Sequence, residues 1–264
     1  MYTLAIVGCG YLAEIITNGL LNGLLPDYQL TGAMSRTPAK AMRIANKIND
    51  AGQGYNCQAF TNIDELLETK PDFIIETASP SGFKEFAVKA LENGSSIVTL
   101  SIGAFADKEF YEAAAKAAKE NNTRVYIASG AIGGFDVLRT ATLMGNSKVT
   151  FSTEKNPRPL TYTPLHSDEL ATTRKEVFRG TATEAIALLP TQVNVSVAAS
   201  IASVGPDNVD VSITSTPGFI GDRHVINIRN QQVDAIIDVY SSTPEIAGWS
   251  VIETLQNITS PIVF

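Results

Sequence analysis

Leu4-Ala5-Ile6-Val7-Gly8-Cys9-Gly10-Tyr11-Leu12-Ala13 is the stretch that decides how this chain folds. Four apolar residues run into Gly8-x-Gly10-x-x-Ala13, and a helical pattern follows over residues 14–21. A buried strand ending in a tight turn at Gly8, with a bare backbone at Gly10, is what a pyrophosphate needs in order to come close. The small residue at 13 lets the next helix pack tightly on the sheet, and the start of that helix offers N–H groups and a positive dipole end to phosphates. Gly8, Gly10, Tyr11 and Leu12 are therefore expected at the phosphates of a dinucleotide. An ordinary strand–turn–helix could carry the same glycines; the order strand, turn, helix favours the cofactor.

Composition bounds the rest. A chain of 264 residues holds one large domain or two modest ones. Hydrophobic content of 44% with 18% charged residues describes a soluble globular protein. A formal charge of −7 argues against nucleic acid or an anionic membrane as partner. Cys9 and Cys57 are the two cysteines, and Cys9 lies inside the glycine turn. A structural disulfide is therefore not expected, and a reducing cytoplasm suits the chain better. No apolar run approaches the ~20 residues of a membrane span. The N-terminus lacks the basic region and cleavage site of a signal peptide. No metal site is expected.

Outward from the first turn, Tyr28-Gln29-Leu30-Thr31-Gly32-Ala33-Met34 reads as a second strand ending at Ser35-Arg36-Thr37. An NAD-selective site usually has Asp or Glu about 20 residues past the glycines, where it binds the ribose 2′-OH. Ser35 and Arg36 stand there instead, and a hydroxyl beside a guanidinium suits a 2′-phosphate. The expectation is NADP or NAD, with NADP preferred; Arg36 as a solvated loop residue is the alternative.

Helical patterns follow over residues 39–49 and from 61–66, then a strand at 72–77 that ends at Ala78-Ser79-Pro80-Ser81. Ligands of open α/β sheets sit at the carboxyl ends of strands, so Ala78 and Ser79 are expected to wall the nicotinamide side. Glu76 suits either a structural or an active-site role. A helix at 83–92, a strand at 96–100, a helix at 107–121 and a strand at 124–128 complete the alternation. Strand and helix in turn predict an α/β Rossmann domain with a doubly wound parallel sheet.

Ser129-Gly130-Ala131-Ile132-Gly133-Gly134-Phe135-Asp136 breaks that pattern, either as a close-approach surface for a ligand or as a linker, and a helix at 137–144 follows. Beyond it, residues 149–154, 209–214 and 224–229 alternate apolar and polar at period two. That predicts an α+β domain with a mixed or antiparallel sheet, one face open for substrate or dimer contacts, and helices at 181–189 and 194–204 packed against it. A last helix at 249–258 is expected to return onto the nucleotide domain. The expected boundaries are 1–128, 129–242 and 243–264.

Taken together, these residues resemble the L-aspartate dehydrogenase family, NAD(P)-dependent enzymes that interconvert aspartate and iminoaspartate. The matching stretches are Gly8-Cys9-Gly10, Ser101-Ile102-Gly103-Ala104-Phe105-Ala106-Asp107, and the block from Ser129 to Asp136. Phe178-Arg179-Gly180-Thr181-Ala182-Thr183-Glu184-Ala185, Leu189-Pro190-Thr191-Gln192-Val193-Asn194-Val195 and Arg223-His224-Val225-Ile226 follow in family order. The resemblance implies that Ala131 and Asn194 meet the nicotinamide end of the cofactor and that His224 is the catalytic residue. Histidine suits the proton transfers of imine chemistry. By its position alone, His224 at the head of a strand is as readily structural; His166, the other histidine, reads as a surface residue.

The chain departs from the family at Ala13, where glycine is usual, and at Gln192, where asparagine is common. Near the carboxyl end the family's Asn-Pro-Lys-Thr-Ser reads here as Thr243-Pro244-Glu245-Ile246-Ala247, so a lysine has become Glu245. That substitution opens two alternatives: a related dehydrogenase for another amino or keto acid, and a non-catalytic NAD(P)-binding regulatory or sensor protein. Arg139, Arg158, Arg174, Arg179 and Arg223 are candidates for holding a substrate carboxylate. A small amino or keto acid held between domains is the expected substrate and a homodimer the expected assembly.

Overall fold

Leu4, Ala5 and Ile6 expose no surface and Val7 almost none, so β1 (Tyr2–Val7) is a strand buried on both faces. The computed structural model describes residues 1–189 and 194–264. Around β1 lie β2 (Tyr28–Met34), β3 (Gln58–Phe60), β4 (Phe73–Glu76), β5 (Ser96–Thr99) and β6 (Val125–Ile127). Their order is β3-β2-β1-β4-β5-β6, and every neighbouring pair runs parallel. The connections are α1 (Tyr11–Leu21), α2 (Pro38–Asn49), α3 (Ile63–Glu68), α4 (Pro80–Glu92) and α5 (Lys108–Glu120). This is the doubly wound α/β sheet that the alternation predicts.

Caps explain where the helices begin. α1 starts at Tyr11, three residues before the apolar pattern shows it, because Gly10 takes the extended N-cap conformation. α4 starts at Pro80, also three residues early, because the Ser79 hydroxyl accepts from the Gly82 amide and proline fits the first helical position. Pro80 and Ser81 are thus a first turn of helix. Asn62 caps α3 by accepting from the Asp64 amide, and Asp107 caps α5 by accepting from the Glu109 and Phe110 amides. β3 carried no sequence signal: it has three residues, two of them exposed.

The chain divides into two compact units, Met1–Ala128 with Ala247–Phe264, and Ser129–Ile246. The second holds α6 (Phe135–Leu143), β7 (Lys148–Lys155), β8 (Lys175–Thr181), α7 (Ala182–Leu188) and α8 (Asn194–Ile201). β9 (Val209–Ser215), β10 (Asp222–Arg229) and β11 (Asp234–Ser241) complete it. Its sheet has the order β11-β10-β7-β9-β8, antiparallel except for the parallel pair β7 and β9. One face is buried: Phe151 of β7 lies between Ile226 of β10 and Val211 of β9, and all three are core residues. The other face is open. A capping box at Thr181 and Glu184 starts α7. β8 and β11 went unread because their apolar residues do not alternate cleanly; Ile236 in β11 is exposed on the open face while Ile237 is partly covered.

α9 (Glu245–Thr259) closes the chain and packs on the first unit. The Tyr28 hydroxyl donates to the Leu255 carbonyl at 2.8 Å, and Ile252 fills the space over Gly19 of α1, where any side chain would collide with it. Val251, Ile252 and Leu255 join the same apolar core as β1, β2 and α1. Among the described residues no helix is long and apolar enough to cross a membrane.

Candidate functional site

The glycine turn is built by two different constraints. Gly8 has φ +100°, and a Cβ there would lie 2.6 Å from the Ala78 nitrogen and the Thr77 carbonyl carbon, so no side chain fits. Its amide donates to the Met34 carbonyl and its carbonyl accepts from the Thr77 hydroxyl, which ties the carboxyl ends of β1, β2 and β4 together. At Gly10 the opposite holds: a Cβ would meet nothing within 4 Å. The backbone is bare toward open space at the point where a pyrophosphate would approach, so the residues present fit a dinucleotide.

A cleft of about 290 Å³ opens there, lined by Gly8, Gly10, Ser35, Arg36, Ala78 and Ser79. Those six are sequence-expected cofactor residues, and the fold brings them together. Tyr11 and Leu12 are the first residues of α1 and do not line it; Leu12 packs toward the core, so their backbone at the helix start is what they offer a phosphate. Thr37 and Lys40 join the lining. Lys40 sits in the first turn of α2, where no acidic residue stands, and adds a second cation beside Arg36. The sequence signal for it was available: a lysine just inside the helix that follows the Ser35-Arg36 strand end. Ser35 is buried and its oxygen accepts from the Thr37 amide.

At the ends of β4 and β5, Glu76 is fully buried and accepts four hydrogen bonds. The Ala78 amide and Ser101 hydroxyl donate to Oε1; the Thr99 hydroxyl and Ser101 amide donate to Oε2. Burial pushes its carboxyl above the usual range, and these four donors oppose that. The network pins the Ala78–Ser79 loop, which is a structural role. Cys9 donates its thiol to the Met34 carbonyl and burial pushes it up to about 12; Cys57 is likewise a buried free thiol. Neither is poised as a nucleophile.

In the second unit, His224 is the third residue of β10, not its head, and only 4% of it is exposed. Its ring stacks on Phe151 at 5.8 Å and 21°. It lines a small cavity, about 30 Å³, together with Thr153, Lys155, Leu189, Val195 and Ser196. Burial, and then the Lys155 charge, push its imidazole down to about 4, with Asp222 opposing. His224 is therefore neutral near pH 7, and burial beside Lys155 makes it a weaker base than a free imidazole. Among the described residues, the buried side-chain polar atoms without a hydrogen-bond partner are Thr153 Oγ1, Ser215 Oγ and His224 Nδ1.

Asn194 opens α8 two residues from Ser196, and Ala131 lies half-buried in the turn before α6; neither lines the His224 cavity. Gln192 falls in 190–193, outside the described residues. Arg174 is paired with Glu154, Arg179 with Glu176 and Arg223 with Asp238, while Arg139 and Arg158 are exposed. The cation at the cavity is Lys155, which sequence reading missed because Glu154-Lys155-Asn156-Pro157 looks like a solvated turn. His166 is exposed, near Asp168. Glu245 opens α9, where the positive end of the helix dipole favours a carboxylate.

Two family models together match most of the chain. The family model described as "Homoserine dehydrogenase, NAD binding domain" matches residues 8–128, and "Aspartate dehydrogenase, C-terminal" matches residues 136–258. The L-aspartate dehydrogenase of Methanosarcina mazei is 31% identical, the match covering 99% of this chain and 98% of that protein. The L-aspartate dehydrogenase of Methanococcus maripaludis is also 31% identical with the same coverage. Among solved structures, aspartate dehydrogenase from Thermotoga maritima superposes with a TM-score of 0.76 at 24% identity, covering 100% of this chain and 99% of its own. A hyperthermophilic archaeal homoserine dehydrogenase in complex with NADPH gives 0.64 at 14% identity, covering 100% of this chain and 99% of its own. These two likenesses speak for the fold; the sequence relatives, matched end to end, speak for the family. This chain belongs to the L-aspartate dehydrogenase family.

Proposed function

We propose that this chain is an NAD(P)-dependent L-aspartate dehydrogenase, interconverting aspartate with iminoaspartate and so with oxaloacetate and ammonia. The observation that carries this reading is the end-to-end match to proteins of that name. The bound nicotinamide cofactor supplies the hydride acceptor or donor; the protein's part is to position and to move protons. Gly8, Gly10 and the start of α1 hold the pyrophosphate, and Ala78 and Ser79 wall the nicotinamide side. Ala131 and Asn194 are assigned to the nicotinamide end on family resemblance. His224, neutral and with Nδ1 unpartnered, takes a proton from the water that adds to the imine carbon and returns one as ammonia leaves.

Arg36, just past β2, and Lys40, in the first turn of α2, support NADP over NAD, because two cations lining the cleft with Ser35 match a 2′-phosphate. The open face of the second sheet, with exposed Ile236 and Tyr240, supports a homodimer paired through it. Two buried free thiols support a reducing cytoplasm. A panel of 2-oxo acids with ammonium and reduced cofactor tests the substrate: oxaloacetate is turned over fastest, and a faster oxo acid would move the assignment to another dehydrogenase.

A further inference from the structure

β7 turns Phe151, Thr153 and Lys155 toward the same side of its sheet, since strand side chains alternate. The register sets Thr153 opposite His224, and Lys155 between Asp222 on β10 and Ser215 on β9. Thr153, Lys155 and His224 line one cavity. The Lys155 side chain is only 15% exposed, yet its nearest carboxylate oxygen, on Asp222, is 3.8 Å away. That is too long for a hydrogen bond, so the ammonium keeps donors to give. A cation drawn from water calls for an anion. The Thr153 hydroxyl beside it is buried and without a partner. The cavity has room for about two waters, which is also about the room for two carboxylate oxygens.

We infer that Lys155 and Thr153 form the carboxylate-binding subsite of the substrate pocket, holding one carboxylate of a dicarboxylic amino or oxo acid beside His224. A carboxylate there accepts from the ammonium and the hydroxyl together and adds a charge-assisted bond that a neutral acceptor does not supply. Lys155 would thus provide a cation for the substrate in a chain whose carboxyl-terminal motif carries Glu245 where the family has lysine. The inference rests on the proposed activity for the substrate's identity.

The probe is succinate, a dicarboxylate with no group to oxidise, titrated calorimetrically into the full chain with cofactor present, alongside steady-state kinetics with oxaloacetate and ammonium. Lys155→Met keeps the stem and removes the charge. It should weaken succinate binding about 10- to 100-fold and raise the oxaloacetate KM more than it lowers kcat. Lys155→Arg should recover part of the loss, and cofactor affinity should not move. Thr153→Val, which keeps the shape, should weaken succinate about fivefold and covers the case that Lys155→Met does not fold. Wild-type-like succinate binding by Lys155→Met or Thr153→Val overturns the subsite. If the unmodified protein binds succinate through Lys155 but does not turn over oxaloacetate, the subsite stands and the proposed activity falls. No succinate binding by an active enzyme overturns the subsite alone.

Discussion

Thr153 of β7 and His224 of β10 are cross-strand partners, and neither the threonine hydroxyl nor the histidine Nδ1 has a hydrogen-bond partner. Buried polar atoms left unmet cost stability, and these two stand on the face of the sheet that also carries Lys155.

The buried histidine also makes stability depend on pH. Its imidazole titrates at about 4 in the folded chain against about 6.5 unfolded. Between those values the unfolded state binds the extra proton, so stability is full above pH 6.5 and is lost as pH falls toward 4. At pH 5 the loss from this one group is about 2 kcal/mol. Urea midpoints at pH 7 and pH 5 check it: His224→Gln should show a smaller fall than the unmodified protein, and an equal fall in both would place the acid sensitivity elsewhere.

Gly8 and Gly10 should separate folding from cofactor binding. Gly8→Ala drives a Cβ into the Thr77–Ala78 backbone at positive φ and should lower the melting temperature as well as cofactor affinity. Gly10→Ala meets no protein atom and gives up only the N-cap preference for glycine, so the melting temperature falls by no more than a few degrees while the cofactor Kd rises at least about tenfold. Thermal melts and cofactor fluorescence titrations read both; a loss of stability in Gly10→Ala as large as that in Gly8→Ala would contradict the open cradle.

Arg36 and Lys40 give the cofactor preference a direct test. Arg36→Ala and Lys40→Ala should each weaken NADPH about tenfold, the worth of one charged hydrogen bond, and leave NADH nearly unchanged. Equal loss for both nucleotides would assign the two cations to the shared phosphates.

Glu76 should behave as a structural residue. Its two oxygens each accept from one backbone amide and one hydroxyl, and a glutamine puts a donor against one of those amides. Glu76→Gln should cost about 2 kcal/mol in denaturant unfolding, with cofactor affinity falling only as the Ala78–Ser79 loop loosens. Unchanged stability would mean the network tolerates a neutral amide in place of the carboxyl group.

The sequence was most legible where chemistry is local. The strand, glycine turn and helix of β1 and α1 are contiguous, and Ser35, Arg36, Ala78 and Ser79 could be placed because strand ends in a parallel sheet meet at one edge. Lys40 was passed over because its approach to Arg36 depends on where α2 starts, which Pro38 fixes. Lys155 was passed over for a stronger reason: its nearness to His224 follows from the pairing of β7 with β10, almost 70 residues apart in the chain. β11 hid because Ile236 lies on the open face, which breaks the alternation that reveals a strand.

The most direct test follows reduced-cofactor consumption when oxaloacetate and ammonium are added to the unmodified protein and to His224→Ala, with cofactor binding measured in parallel. The account predicts turnover by the unmodified protein, a fall of about 100-fold or more in kcat for His224→Ala, and equal cofactor affinity in both. Equal turnover in the two proteins would remove His224 from the chemistry. Tight cofactor binding with no turnover in either would contradict the aspartate dehydrogenase assignment itself.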